Sequence, residues 1–187
     1  MDPVSDCQRA VDAARAMITT VQPAEMAAST PCESWDVRAL INHMIGVCQN
    51  FTRALQAAPP GVDSGSSDLA GDDPAVAYAR AGEALMRDWR APGALDKTLV
   101  MRFGQLPAAQ GARIMAADQL IHTWDLAKSL GRPYTMDEDL ASATLEMMRQ
   151  FDNPDLRGPG RAFAAAVECP ESAPIQDRLI ALSGRQP

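Results

Sequence analysis

Apolar residues spaced three and four apart constrain this chain more than any other feature. Val37, Leu40, Ile41, Met44, Val47, Phe51 and Leu55 form one such series. Only an α-helix gathers positions so spaced onto a single face. Ala10, Val11, Ala14, Met17 and Ile18 form another, predicting a helix from Ser5 or Asp6 to about Thr20. The second helix is expected to start near Ser34 as N-cap, with Asp36 in its first turn, where a carboxylate suits the helix dipole. Asp73-Pro74 marks a third start, running to about Trp89, with proline at the first helical position. A fourth helix spans roughly Ala108 to Leu130, stopped by Gly131 and Pro133. Thr135-Met136-Asp137-Glu138 resembles a capping box for a fifth, holding Leu140, Ala143, Leu145, Met147, Met148 and Phe151. A short helix is expected at Ile175–Leu182. Residues 58–73 read as a surface loop, and Thr98–Phe103 as a short β-prone run inside a long connection. The fold class is therefore all-α, an up-and-down bundle with one long crossover or an added helix.

At 187 residues the chain suits one domain, 1–187, with a core of about 5–151 and a Pro/Gly-rich extension over 152–187. A net charge of -7 without a basic stripe argues against nucleic-acid binding. No apolar run approaches the ~20 residues of a membrane span. Asp2, Asp6, Arg9, Asp12 and Arg15 interrupt the N-terminus and disfavour a signal peptide. Cys7, Cys32, Cys48 and Cys169 make no C-x-x-C pair, so reduced thiols and a cytoplasmic location are expected. An Ala-rich bundle with exposed apolar stripes also allows a homodimer.

The chain has two histidines, and both border apolar stripes. His43 is three past Leu40 and four before Val47. His122 follows Asp118 by four residues, so a helix stacks the two on one face. Ile114, Asp118, Ile121, His122 and Asp125 share that stripe. Burying unpartnered polar groups costs roughly 1–3 kcal/mol each, and more for a charge. A metal held by His43, Asp118 and His122 compensates all of them at once and keeps open coordination positions, as catalytic sites do. A metal-free histidine–aspartate network inside a bundle also satisfies them, and spacing alone leaves both readings open.

Thr30-Pro31-Cys32-Glu33-Ser34-Trp35-Asp36-Val37-Arg38-Ala39-Leu40, followed by His43, resembles the start of the mycothiol-dependent maleylpyruvate isomerase N-terminal domain. So does Asp118-x-x-x-His122-x-Trp124-Asp125-Leu126-Ala127. That domain falls in the DinB-like superfamily of metal-binding four-helix bundles. The resemblance covers about residues 8–150 and implies a divalent metal, usually zinc, held by three side chains and water. Carried over by motif, the ligands are His43, Asp118 and His122. Aspartate stands at 118 where the isomerase has glutamate, one methylene longer. The isomerase also has a further C-terminal domain, for which the residues after Phe151 are too few, so a stand-alone member is expected. Asp125 is spaced to be an outer partner of His122 or a solvated carboxylate.

The family implies a low-molecular-weight thiol cosubstrate such as mycothiol. A thiol with pKa near 8.5 is a poor nucleophile until a coordinating metal deprotonates it. The leading expectation is a divalent-metal-dependent thiol S-transferase or isomerase acting on an electrophilic substrate. The alternatives are a non-enzymic metal or ligand-binding module and a metal-dependent hydrolase. A His₂-carboxylate set suits zinc first and also admits nickel, iron or manganese. Trp35 and Trp124 each neighbour a motif, where a large aromatic is more often core than pocket, and Cys48 reads as inert packing. Cys32 lies where a helix dipole lowers a thiol pKa. Arg38, Arg53 and Arg102 are candidates to meet an anionic thiol or substrate.

Overall fold

The computed structural model describes residues 2–59, 61, 67–150, 157–158 and 164–187. Six helices account for most of it: α1 (Pro3–Ile18), α2 (Val37–Leu55), α3 (Pro74–Trp89), α4 (Ala108–Ser129), α5 (Glu138–Gln150) and α6 (Ile175–Leu182). A hairpin of β1 (Thr98–Met101) and β2 (Gly104–Pro107) joins α3 to α4. The expected strand is thus half of an antiparallel pair, in register Thr98 to Pro107 and Met101 to Gly104. Its second strand, Gly104-Gln105-Leu106-Pro107, carries a glycine and a proline and has no β-branched residue, so propensity hides it. No helix among the described residues is long and apolar enough to cross a membrane.

The chain divides into two compact units, Met1–Arg132 and Pro133–Pro187. In the first, α1 packs on α4 and α3, while α2 packs on α3 and α4. The α1–α4 seam is built of small residues: Cys7, Ala10 and Ala14 face a helix carrying Ala112 and Ala116, all essentially buried. Small side chains let backbones approach, and the Cys7 thiol donates to Ala112 O at 3.0 Å. Gly111 serves the same end. A Cβ there would stand 2.7 Å from Leu99 Cδ1 and 3.2 Å from Phe51 Cε1, so any larger residue would make the hairpin's buried leucine shift. In the second unit α5 packs on α6, and Gln176 Oε1 accepts from Met136 N.

The starts of α1, α2 and α5 differ from expectation in one respect. Aspartate outcompeted the serine, threonine or later aspartate suggested by pattern. Asp2, not Ser5 or Asp6, caps α1 by accepting from Ser5 N. Asp36, not Ser34, caps α2 by accepting from Ala39 N at 2.8 Å. Ser34 is instead in left-handed backbone, φ 66°. Asp137 accepts from Leu140 N, so the proposed capping box at Thr135 is not the cap of α5. Asp73 caps α3 with Pro74 at its first turn, as expected. The last residue assigned to the fifth helix, Phe151, lies outside the described residues, as does part of the 58–73 loop and of the extension after 151.

Candidate metal centre

The site begins with the loop before α2. Thr30 Oγ1 accepts from Cys32 N at 3.1 Å and donates to Trp35 O at 3.0 Å. Backbone bonds from Thr30 N to Trp35 O and from Trp35 N to Cys32 O close the same turn. Four amide hydrogens at a helix start lack intrahelical partners. Here Val37 N donates to Ala28 O, Arg38 N to Met26 O and Ala39 N to the Asp36 carboxylate. The loop therefore anchors the first turn of α2 and holds Cys32 and Trp35 at a fixed height beside it.

On α2, Leu40 and Met44 are fully buried, and His43 sits at the edge of their stripe with its side chain 24% exposed. On α4, Asp118 and His122 stand one turn apart on the side facing it. His43 Nε2 lies 3.1 Å from Asp118 Oδ1, and His122 Nε2 lies 3.6 Å from the same oxygen. The two rings meet nearly edge to face, 4.7 Å between centroids and 75° between planes. The three residues singled out from the sequence are thus brought together around one carboxylate oxygen.

Asp125 is fully buried, and its Oδ2 lies 2.9 Å from His122 Nδ1. The solvated alternative for this carboxylate is thereby removed. A buried carboxylate at that distance favours a proton on Nδ1. In the neutral ring, Nε2 is then an acceptor, facing another acceptor, Asp118 Oδ1. Converging acceptors need a proton or a cation between them. Nitrogen and oxygen ligands about 2.0–2.1 Å from a tetrahedral zinc stand about 3.3 Å from one another. The separations of 3.1 and 3.6 Å bracket that edge, and all three ligand atoms lie within 4.8 Å of one another, a spacing compatible with a divalent cation.

Sequence reasoning singled out Trp35 and Cys32 but did not place either against this cluster. Trp35 is half-buried, with its ring 4.8 Å from His43 and 5.9 Å from His122, so it walls the site rather than filling the core. Trp124 is core, 6% exposed, with the Lys128 ammonium over its ring. Cys32 donates to Asp125 Oδ2 at 3.2 Å and lies 3.8 Å from His122 Nδ1. Cys32, His122 and Asp125 therefore form a second cluster of donor atoms sharing one histidine with the first. The signal available was the shared Thr30–Asp36 motif, whose turn geometry no helical period describes.

Other candidates are committed elsewhere. Arg38 forks onto both oxygens of Asp68 at 3.0 Å and reaches Gly71 O. The guanidinium in turn holds the Asp68 carboxyl below the usual carboxylate range. Arg53 donates to Pro59 O. Arg102 lies exposed in the turn between β1 and β2. Cys48 is fully buried, and loss of hydration pushes its thiol up to about 12, which fits inert packing.

Known proteins match this arrangement in sequence and in fold. An uncharacterized protein of Mycobacterium tuberculosis, known from strains H37Rv and CDC 1551 / Oshkosh, is 33% identical over 188 residues. The match covers 99% of this chain and 98% of the relative. Crystal structures of the mycothiol-dependent maleylpyruvate isomerase and of a histidine-to-alanine mutant superpose with a TM-score of 0.60 at 18% identity. That likeness is one of fold. It covers 76% of this chain, which spans 66% of the isomerase's length. The sequence model of the mycothiol maleylpyruvate isomerase N-terminal domain matches residues 7–127, which hold every residue of the cluster, and the chain belongs to that family.

Proposed function

We propose that this protein binds one divalent cation through His43, Asp118 and His122 and acts as a thiol-dependent S-transferase or isomerase, with mycothiol as the thiol. The observation that carries the reading is the shared carboxylate oxygen, 3.1 and 3.6 Å from two imidazole nitrogens on separate helices. Zinc suits the set best, with nickel, iron or manganese as the other candidates. The cation, when bound, supplies the charge that lowers the pKa of a thiol or water and polarises an electrophile.

The chain's own residues do the rest. Asp125 accepts a hydrogen bond from the Nδ1–H of His122 and fixes that ring with Nε2 toward Asp118. Trp35 covers the ring of His43 and narrows access, keeping bulk water from one side. The side chains of His43, Asp118 and His122 are between 12% and 24% exposed, so a small thiol reaches the site while the ligands stay mostly dry. The same reading takes α1 to α4 as a DinB-like four-helix bundle, residues 1–187 as one domain, and the cytoplasm as its location. A homodimer belongs to it as well.

Metal analysis of purified protein before and after a chelator wash tests the reading, followed by thiol consumption with electrophilic substrates. Stoichiometric metal that falls sharply in His43→Ala, with thiol consumed, supports it. Metal and thiol binding with no product points to a carrier module, and ester or amide cleavage without thiol points to a hydrolase. No metal in wild type, with only stability lowered in His43→Ala, returns the site to a hydrogen-bond network.

A further inference from the structure

Behind Asp118 runs a chain of buried polar groups that the proposed chemistry does not use. Gln119 and Tyr78 are both fully buried. Gln119 Nε2 donates to Asp118 Oδ2 at 3.1 Å and to Met44 O at 3.3 Å. Tyr78 OH donates to Gln119 Oε1 at 2.7 Å. The direction of this chain is forced. Met44 O and a carboxylate oxygen are both acceptors, so only the NH₂ end of the amide satisfies both. Its carbonyl end must then face Tyr78, which must donate.

We propose that Gln119 and Tyr78 are positioning residues that hold the Asp118 carboxylate by Oδ2, so that Oδ1 alone is presented to a divalent cation between His43 and His122. The inference rests on the metal reading above and deepens it. A carboxylate free to rotate offers either oxygen or both, and the geometry of the open site changes with it. Here Oδ2 is held from behind by an amide anchored to two helices, Met44 on α2 and Tyr78 on α3. Residues that fasten ligating carboxylates from outside typically change metal affinity about 10- to 100-fold when removed. Burial also pushes the Tyr78 hydroxyl well above its ordinary range, so it stays a donor through neutral and moderately alkaline pH. Asp118 and Gln119 are adjacent in sequence, yet they face different partners because successive helical positions differ by about 100°.

The test uses cobalt(II) alone as probe, read by its visible absorption and by chelator competition on the full chain. Gln119→Met keeps the volume and removes both donors. Tyr78→Phe removes only the hydroxyl. Leu85→Ala, in the buried core of α3, serves as a control for general destabilisation. Cobalt affinity is expected to fall about 10- to 100-fold in Gln119→Met and less in Tyr78→Phe, with a shifted absorption band in each. The double variant should fall little further than Gln119→Met alone, since the hydroxyl acts through the amide. Leu85→Ala should lower the melting temperature and leave affinity and band at wild type. Folded variants that lose stability like Leu85→Ala but keep wild-type affinity and spectrum overturn the positioning role and spare the site. If Gln119→Met does not fold, the Tyr78→Phe spectrum decides alone. Failure of wild type to take up cobalt removes the metal reading and this inference with it.

Discussion

Asp125 Oδ2 lies 2.9 Å from His122 Nδ1, and the carboxylate has no exposure to solvent. The pair sits three residues apart on α4, so one helix supplies both a ring and the group that orients it. Asp125→Asn keeps the shape and removes the charge. Metal affinity is expected to fall about 10- to 100-fold, measured by chelator competition. Unchanged affinity would show that the ring is oriented by packing instead.

Trp35 and Trp89 give contrasting outcomes. Trp89 is 2% exposed and stacks near Phe51, so Trp89→Ala should cost about 3–5 kcal/mol of stability. Trp35 is half-buried over the imidazoles. Trp35→Ala should cost clearly less, while raising KM for thiol or substrate. Denaturant melts and steady-state kinetics separate the two effects.

The start of α2 offers substitutions of opposite sign. Asp36→Ala removes the cap bond to Ala39 N and should destabilise by about 1 kcal/mol. Ser34 is held at φ 66°, where a β-carbon is unfavourable. Ser34→Gly should therefore stabilise, by up to about 1 kcal/mol after the greater freedom of glycine in the unfolded chain is counted. A lower melting temperature in Ser34→Gly would mean that the serine makes contacts outweighing its strain.

Alkaline pH should unfold this protein through its buried acids. Burial raises the Cys7 thiol, the Cys48 thiol to about 12, and the Tyr78 hydroxyl. In the unfolded chain these groups ionise near 9.0 for the thiols and 10.0 for the phenol. The native state keeps protons that the unfolded state releases, so stability falls as pH rises. The contribution is complete below about pH 9 and declines from there toward about 12. Cys7→Ala with Cys48→Ala should flatten the slope of melting temperature against pH above 9. An unchanged slope would assign alkaline unfolding to other groups.

Much of the helical frame was legible because its signal is local. Asp73-Pro74, the end of α4 before Gly131 and the whole of α6 follow from spacing and breakers. The second strand was not, since Leu106 reads as isolated until Leu99 is placed opposite it. The caps of α1, α2 and α5 were misassigned because several polar residues precede each of these helices and only backbone direction selects one. Asp118 and His122 were legible as a helical pair, and His43 as a polar residue at a stripe's edge. Gln119 and Tyr78 were not, nor were the contacts of Trp35 and Cys32 with the cluster, since each is made through a turn or a buried hydrogen bond with no period.

By itself, the order of residues determined where most of the helices lie and that two histidines border buried faces, because helical periodicity is written within a few neighbours. Only the tertiary structure decided which polar atoms meet. It sets α2 against α4 and fastens the Thr30–Trp35 turn beside them, bringing Cys32 within 3.2 Å of Asp125. Contacts between residues so distant in the chain depend on how whole helices pack, and that packing is chosen by the summed burial of many side chains rather than by any short motif.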